Sequence, residues 1–371
     1  NASKNLFSVI TTFSGGGGSS IGYKLSGGNV LVATDYSNEA IKTYNTNFPD
    51  TKTECGNILD ITRNEERSVK DWLKSYNIEV GDLDILDGSP PCTSFSIARR
   101  GGNKDEITEH KNNKTSHLTH EYFNLVVKTQ PKVCVMENVP DIDSSPIFHD
   151  ALKYIRSHGY KINYKVLKAS HFGVAQRRRR LFVIGLRPDI AEQLGIKDEK
   201  DILDIFPKES SYEPTVKDAL DNLEIDKRER SLVTSALRKS SVYEIMIALD
   251  KNPKTPTKLE HLHEEFKGMY FNVYRSAWNS PSPTITSLGN RLGGRGGIIH
   301  PVEDRTFTIK ELMRLSSLPD DFVLTGNFND KVERIGNMVP PYLTKEISNA
   351  IYQKVLLPIR VSHEKHMKRT V

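Results

Sequence analysis

Cys92 and Glu137 are the residues best suited to covalent chemistry in this 371-residue chain. Cys92 sits in Gly88-Ser-Pro-Pro-Cys-Thr-Ser-Phe-Ser96, where polar neighbours and two prolines predict an exposed, stiffened loop. Cys134, inside Val133-Cys-Val135, reads instead as a small buried hydrophobe. Glu137-Asn138-Val139 follows another apolar run, so its carboxylate should emerge at the same sheet edge as the thiol. A nucleophile and an acid then face one crevice. In Gln176-Arg-Arg-Arg-Arg180, alternate members such as Arg178 and Arg180 share a face if the segment is extended, and such a run also suits a phosphate-facing patch.

A second group of residues suits a nucleotide. Phe13-Ser-Gly-Gly-Gly-Gly18 directly follows a strand and opens a helix, where glycines let a ligand approach the backbone closely. Roughly twenty residues on, Asp35 ends a strand at a place where a carboxylate accepts hydrogen bonds from ribose, and Tyr36 offers a ring to an adenine. Gly15, Gly17 and Ser20 match the ordered G-x-G-x-x-G pattern only in part, which leaves the cofactor open between a dinucleotide and another adenosine-bearing molecule. His117-Leu-Thr-His120 and His261-Leu-His263 lack further ligands at metal spacing, so no metal site is expected.

Positioning these groups falls to short apolar runs alternating with amphipathic segments. Strands are predicted at residues 6–12, 29–35, 83–87 and 132–136, with a weaker one at 51–55, and helices at 40–46 and 118–129. The alternation at 160–166 and the apolar run 181–186, with no helix-length segment between, predict a final antiparallel pair. The fold class is therefore α/β: a doubly wound, mostly parallel sheet whose ligands bind beyond the strands' carboxyl ends. From Arg187 onward the pattern gives way to polar, lysine-rich, proline-marked sequence with a helical patch at 231–249. We expect a catalytic and cofactor-binding domain at 1–186 and a second, smaller, irregular domain at 187–330.

Composition narrows the classes. With 37% hydrophobic and 27% charged residues the chain can bury a core, which excludes a disordered protein. Three cysteines without a C-x-x-C pair exclude a disulfide framework and a zinc knuckle. A net charge of +5 permits a polyanionic partner without identifying one. No apolar stretch approaches the roughly eighteen residues of a membrane span, and the polar start lacks the apolar core of a signal peptide. A soluble, cytoplasmic protein is expected.

In order, Phe13–Gly18, Pro90-Pro-Cys92, Glu137-Asn-Val139, Gln176–Arg180, Arg275 with Pro283-Thr-Ile-Thr286, and Gly336-Asn-Met-Val-Pro340 resemble the motifs of the cytosine-5 DNA methyltransferases, over about residues 6 to 355. The resemblance implies a methyltransferase-type sheet binding S-adenosylmethionine, with S-adenosylhomocysteine as product. It also implies a target-recognition domain, double-stranded DNA in the cleft between the domains, and residues 331–371 returning to the catalytic domain. The expected setting is a monomer without metal in a bacterial cytoplasm, associated with the nucleoid. By that likeness Phe13, Gly15, Gly16, Gly17 and Gly18 surround the cofactor, Asp35 takes the ribose, and Tyr36 and Ile58 flank the adenine. Asn57, Pro91, Leu118, Asn337 and Met338 complete the pocket. Arg99, Arg100, Arg275, Thr286, Arg291 and Arg295 are the DNA-binding candidates. Three positions depart from the family pattern: Asp35 for Glu, Asn57 for Asp, and Thr93 for the Gln of many bacterial members.

The implied reaction accounts for the residue types. Carbon 5 of cytosine is too electron-poor to attack a methyl sulfonium, so a nucleophile must first add to carbon 6. Full ionisation of a free thiol at neutral pH gains only about tenfold to thirtyfold, so Glu137 against ring nitrogen 3 and the exocyclic amine must supply a factor of roughly a hundred or more. Arg178 and Arg180 would orient the base through its carbonyl oxygen. A transfer-RNA cytosine-5 methyltransferase of the same family is the nearest alternative, but its Cys-Phe-Thr signature is absent. Intact Cys92 and Glu137 argue against a catalytically silent DNA-binding member, and the Pro-Pro-Cys and Glu-Asn-Val segments against an NAD oxidoreductase.

Overall fold

The computed structural model describes residues 5–91, 117–240, 243–258, 273–292 and 297–367. One sheet contains β1 (Phe7–Thr12), β2 (Gly28–Asp35), β3 (Lys52–Cys55), β4 (Ile85–Gly88), β5 (Val133–Asn138), β6 (Lys161–Lys168) and β7 (Arg179–Leu186), in the order β3-β2-β1-β4-β5-β7-β6. The first five strands pair in parallel, and β7 runs antiparallel to both β5 and β6. The doubly wound, mostly parallel sheet and its closing antiparallel pair are thus present. A smaller sheet joins Thr257–Lys258, Val273–Arg275 and Gly297–Ile299.

The strands are apolar on both faces because helices cover both. Successive residues of β1 point to opposite sides: Phe7 and Val9 join a core with Tyr23, Leu343, Ile347 and Ile351, while Ile10 joins another with Trp72, Tyr122 and Phe148. The helix Pro341–Ile351 therefore packs on the same side as Gly18–Leu25, across the start of the chain. Apolar residues just after β7, namely Ile190, Ile202, Ile205 and Phe206, share the first core. Those of the helix Ile309–Leu315 share a third with Ile21, Ala33, Tyr44 and Phe48. The expected single helical patch at 231–249 is instead two helices, Lys227–Arg238 and Tyr243–Ile247. Only Val233 and Leu237 of the longer one are buried, so its apolar face is narrow.

Two contacts fix the carboxyl end of β4. Tyr122 donates its hydroxyl to the carbonyls of Leu86 (2.9 Å) and Val135 (2.8 Å), and its ring lies so close to Gly88 that a Cβ there would collide with it. On the other face, Asp87 accepts hydrogen bonds from Thr11 Oγ1 (2.8 Å) and Tyr23 OH (3.0 Å). Burial pushes the Asp87 carboxyl up to about 6, against the opposing pull of its hydroxyl donors Thr11, Tyr23 and Ser19. A carboxyl whose folded pKa is raised stabilises the fold below its unfolded pKa and loses that contribution as pH climbs through the folded one. The loss of about 3 kcal/mol follows from about two pKa units. We predict that the protein loses stability between about pH 4 and pH 6, and that Asp87→Asn flattens this dependence in denaturant titrations at several pH values. An unchanged slope in the variant would remove Asp87 as its source.

Candidate active site

Strand register assembles the site. Thr12 stands beside Thr34 and Gly88, and Gly88 beside Met136. Four parallel strands therefore reach their carboxyl ends nearly abreast, and the residues from Phe13, Asp35, Ser89 and Glu137 onward open on one edge. The strand order reverses between β1 and β4, where doubly wound sheets form their crevice. One expectation needs correction: Glu137 and Asn138 do not follow β5 but are its last residues, because pairing with β7 continues through Glu137–Phe182 and Asn138–Leu181.

Cys92, Arg99, Arg100 and Arg295 lie outside the described residues. The chain leading to Cys92 is described, however. Asn138 Nδ2 donates to Pro90 O (3.0 Å), tying the end of β5 to the proline pair just before the thiol. Glu137 is 8% exposed, with Arg180 Nε 2.8 Å from its Oε1. Although ion-paired with Arg180, Oε1 accepts no hydrogen bond among the described residues. A buried carboxylate oxygen without a donor is unfavourable unless a ligand completes it.

Arg178 lies close enough to Arg180 and Glu137 to feel both charges. It precedes β7, is buried, and its Nη1 donates to both Ile285 O and Gly336 O at 3.0 Å. Burial first, then neighbouring Arg180, lowers its pKa, yet a guanidinium remains charged. Gln176 acts beside it. Its Oε1 accepts from Ile285 N (3.1 Å) and its Nε2 donates to Ser316 Oγ (3.1 Å). Together they bind the Pro283–Thr286 motif to the Gly336 motif. A Cβ on Gly336 would strike the backbone of Thr286 and Ser287.

Several expected DNA contacts are spent internally. Arg275 is fully buried, donating to His300 O (3.2 Å), Glu303 O (3.0 Å) and Asp304 Oδ1 (2.9 Å), so its assignment to DNA is corrected to a structural one. Nothing in the sequence separated it from an exposed arginine, because its partners are backbone carbonyls brought by other segments. Arg291 pairs with Glu333 and donates to Ser287 O (2.9 Å), while Thr286 Oγ1 accepts from Gly289 N (3.0 Å). Both therefore shape their own loop.

The nucleotide side is built around the glycines. Gly15 and Gly17 have φ of 54° and 98°, and Phe13 has φ of 54°, a left-handed conformation that costs a non-glycine residue. A Cβ on Gly16 would meet Met338 and one on Gly18 would meet Val339 O, so the Gly336–Pro340 segment crosses the loop at backbone distance. Gly15 faces open space, and Ser14 Oγ is buried without a partner among the described residues. Asp35 accepts from Gly15 N and Ser37 N, both at 2.8 Å; burial raises its pKa and these backbone donors oppose the rise. Tyr36 is 75% exposed, its ring free to stack. Ile58 and Leu118 are buried in one apolar cluster against which Phe13 packs. Asn57 caps the helix Ile58–Thr62, its Oδ1 accepting from Leu59 N (3.0 Å). Asn337, at the end of the helix Phe328–Asn337, is exposed. An open glycine, an orphan hydroxyl and an acid beside a free aromatic ring fit an adenosine-bearing ligand with a polar tail. Sequence reading missed Ser14, Asn138, Gln176 and Asp87. Ser14, Asn138 and Gln176 carried a signal through their places in motifs; Asp87 carried none.

Comparison with known proteins agrees with this geometry. The family model for C-5 cytosine-specific DNA methylase matches residues 7–353. Type II methyltransferase M1.HphI of Haemophilus parahaemolyticus is 28% identical over 348 residues, covering 92% of this chain and 86% of that protein. Type II methyltransferase M.Sau96I of Staphylococcus aureus is 26% identical, covering 95% and 77%. Among solved structures, a protein described as a DNA modification methyltransferase encoded within an E. coli prophage superposes with a TM-score of 0.67 at 24% identity, covering 94% of this chain and 99% of that one, a likeness of fold.

Because Gly336 touches backbone rather than flexible side chains, Gly336→Ala should cost roughly 1–3 kcal/mol through overpacking. Denaturant unfolding measures it. A neutral result would mean that the two motifs can separate without penalty.

Proposed function

The chain belongs to the C-5 cytosine-specific DNA methylase family, and on that premise we propose which of its residues carry the reaction and with what cofactor. It is a DNA cytosine-5 methyltransferase. In our reading Cys92 is the nucleophile that adds to carbon 6 of a cytosine turned out of duplex DNA, since a stacked base cannot meet both the thiol and the methyl donor. Glu137 accepts a hydrogen bond from the exocyclic amine on one oxygen and, as general acid, delivers a proton to ring nitrogen 3 from the other, so that the ring takes up the electron pair of the thiolate as the carbon–sulfur bond forms. Arg180, beside Glu137, steadies that carboxylate and reaches the carbonyl oxygen of the base. Arg178 positions the segment that contains Thr286. After transfer, loss of the carbon 5 proton lets the thiolate depart.

The observation that carries this reading is the buried Glu137 Oε1, paired with Arg180 yet without a hydrogen-bond donor among the described residues, on a strand end tied through Asn138 to the proline pair that precedes Cys92. S-adenosylmethionine, when bound, supplies the electrophilic methyl group. Gly15, Ser14, Asp35, Tyr36, Ile58, Leu118 and Met338 would hold it: Asp35 orients the ribose, Tyr36 and Ile58 flank the adenine, and the orphan Ser14 hydroxyl takes a polar end of the ligand. We place the target-reading role in the segments between about Lys208 and Arg305, acting as a monomer on duplex DNA in the cytoplasm.

Cys92→Ser should abolish methyl transfer while retaining S-adenosylmethionine binding by calorimetry; normal turnover would overturn the nucleophile assignment. Duplex DNA carrying 5-fluorocytosine at the target site should form a stable adduct, because fluorine cannot leave as a proton does. Peptide mass spectrometry should find it on Cys92, and attachment elsewhere refutes the scheme. Glu137→Gln should lower kcat about a hundredfold or more.

A further inference from the structure

Glu121 has no part in the scheme above, yet its carboxylate is buried, at 3% exposure, on the helix Leu118–Thr129. It is fully used. Oε2 accepts from Thr62 Oγ1 at 2.8 Å, and Oε1 accepts from Arg63 Nε at 3.0 Å and from Arg63 Nη2. Asn124 Nδ2 adds a contact at 3.3 Å. Nearby, Lys128 Nζ donates to Thr62 O at 2.7 Å. One helix thus grips the carboxyl end of another, Ile58–Thr62, through charge-assisted bonds.

The spacing gives this grip a purpose. Thr62 lies four residues after Ile58, and Glu121 three after Leu118, so each gripping residue is one helical turn from an apolar residue of the same face. Ile58 and Leu118 occupy one cluster with Phe13 packed on it. Glu121 therefore ties together the two helices that carry Ile58 and Leu118.

We infer that Glu121 is a positioning residue for the adenosine pocket: its bonds to Thr62 and Arg63 hold the Ile58 and Leu118 walls at the spacing the cofactor requires. This rests on the cofactor reading above. Glu121 acts through those walls and touches no reacting atom, so its loss should appear in cofactor affinity and not in the chemical step.

The test is calorimetric binding of S-adenosylmethionine together with steady-state kinetics. Glu121→Gln should raise the cofactor Kd and KM about tenfold, the scale of one charge-assisted hydrogen bond, with kcat at saturating cofactor within about twofold. Thr62→Val should weaken binding in the same sense, Thr62→Ser should restore it, and the double variant Glu121→Gln with Thr62→Val should be no weaker than the worse single one. If wild-type protein binds S-adenosylmethionine and both single variants bind equally well, the inference fails. It fails also if kcat falls in step with affinity, the mark of general damage. If wild-type protein binds no S-adenosylmethionine, the cofactor reading itself is wrong. Should Glu121→Gln not fold, the Thr62 pair decides alone.

Discussion

Everything at this site depends on hydrogen-bond register at the centre of the sheet. Parallel pairing of β1 with β2 and β4, and of β4 with β5, sets Thr12, Thr34, Gly88 and Met136 side by side near the strands' carboxyl ends. Loops of unrelated sequence are thereby brought to one edge, where bonds such as Asn138 to Pro90 and Gly15 to Asp35 then join them. A one-residue slip of β4 would reverse its side chains, turning Asp87 toward Tyr122 and Leu86 toward Tyr23. Two hydroxyls guard against that slip, Tyr122 on one face and Tyr23 on the other.

What the sequence made legible follows the range over which each signal acts. Strands, the antiparallel pair and the glycine loop were readable because periodicity and turn chemistry are local. So were Glu137 and its edge, although β5 extends further than the apolar run because β7 keeps pairing with it. Arg178, Arg275 and Arg291 were not readable. Each turns guanidinium N–H groups to carbonyls or acids of other segments, and composition cannot distinguish such an arginine from one awaiting phosphate. Asp87 was hidden for the opposite reason: an acid at the end of an apolar strand looks solvated until helix Gly18–Leu25 is laid over it. Likewise the carboxylate of Glu121 sits on a helix whose sequence shows only an ordinary polar position.

The two halves of the site are mechanically joined. Gly336–Pro340 runs over the glycine loop, while the carbonyl of Gly336 shares Arg178 with that of Ile285. A shift on the nucleotide side is thereby passed to the segment carrying Thr286 through backbone and one buried cation, with few soft side chains between. Such stiffness suits a reaction in which the ring and the methyl donor must approach along one line.

The crossing of Pro341–Ile351 beside β1 has a consequence for how the molecule is made. Phe7, Val9 and Tyr23 find their apolar partners in Leu343, Ile347 and Val355, more than three hundred residues later. On the ribosome the first strand emerges long before that cover, so this part of its inner face stays wet until the helix Pro341–Ile351 has been synthesised. Long-range closure of this kind slows folding and leaves unfinished intermediates sticky. Premature termination anywhere ahead of the closing helix should therefore yield an aggregating fragment and not a smaller working enzyme.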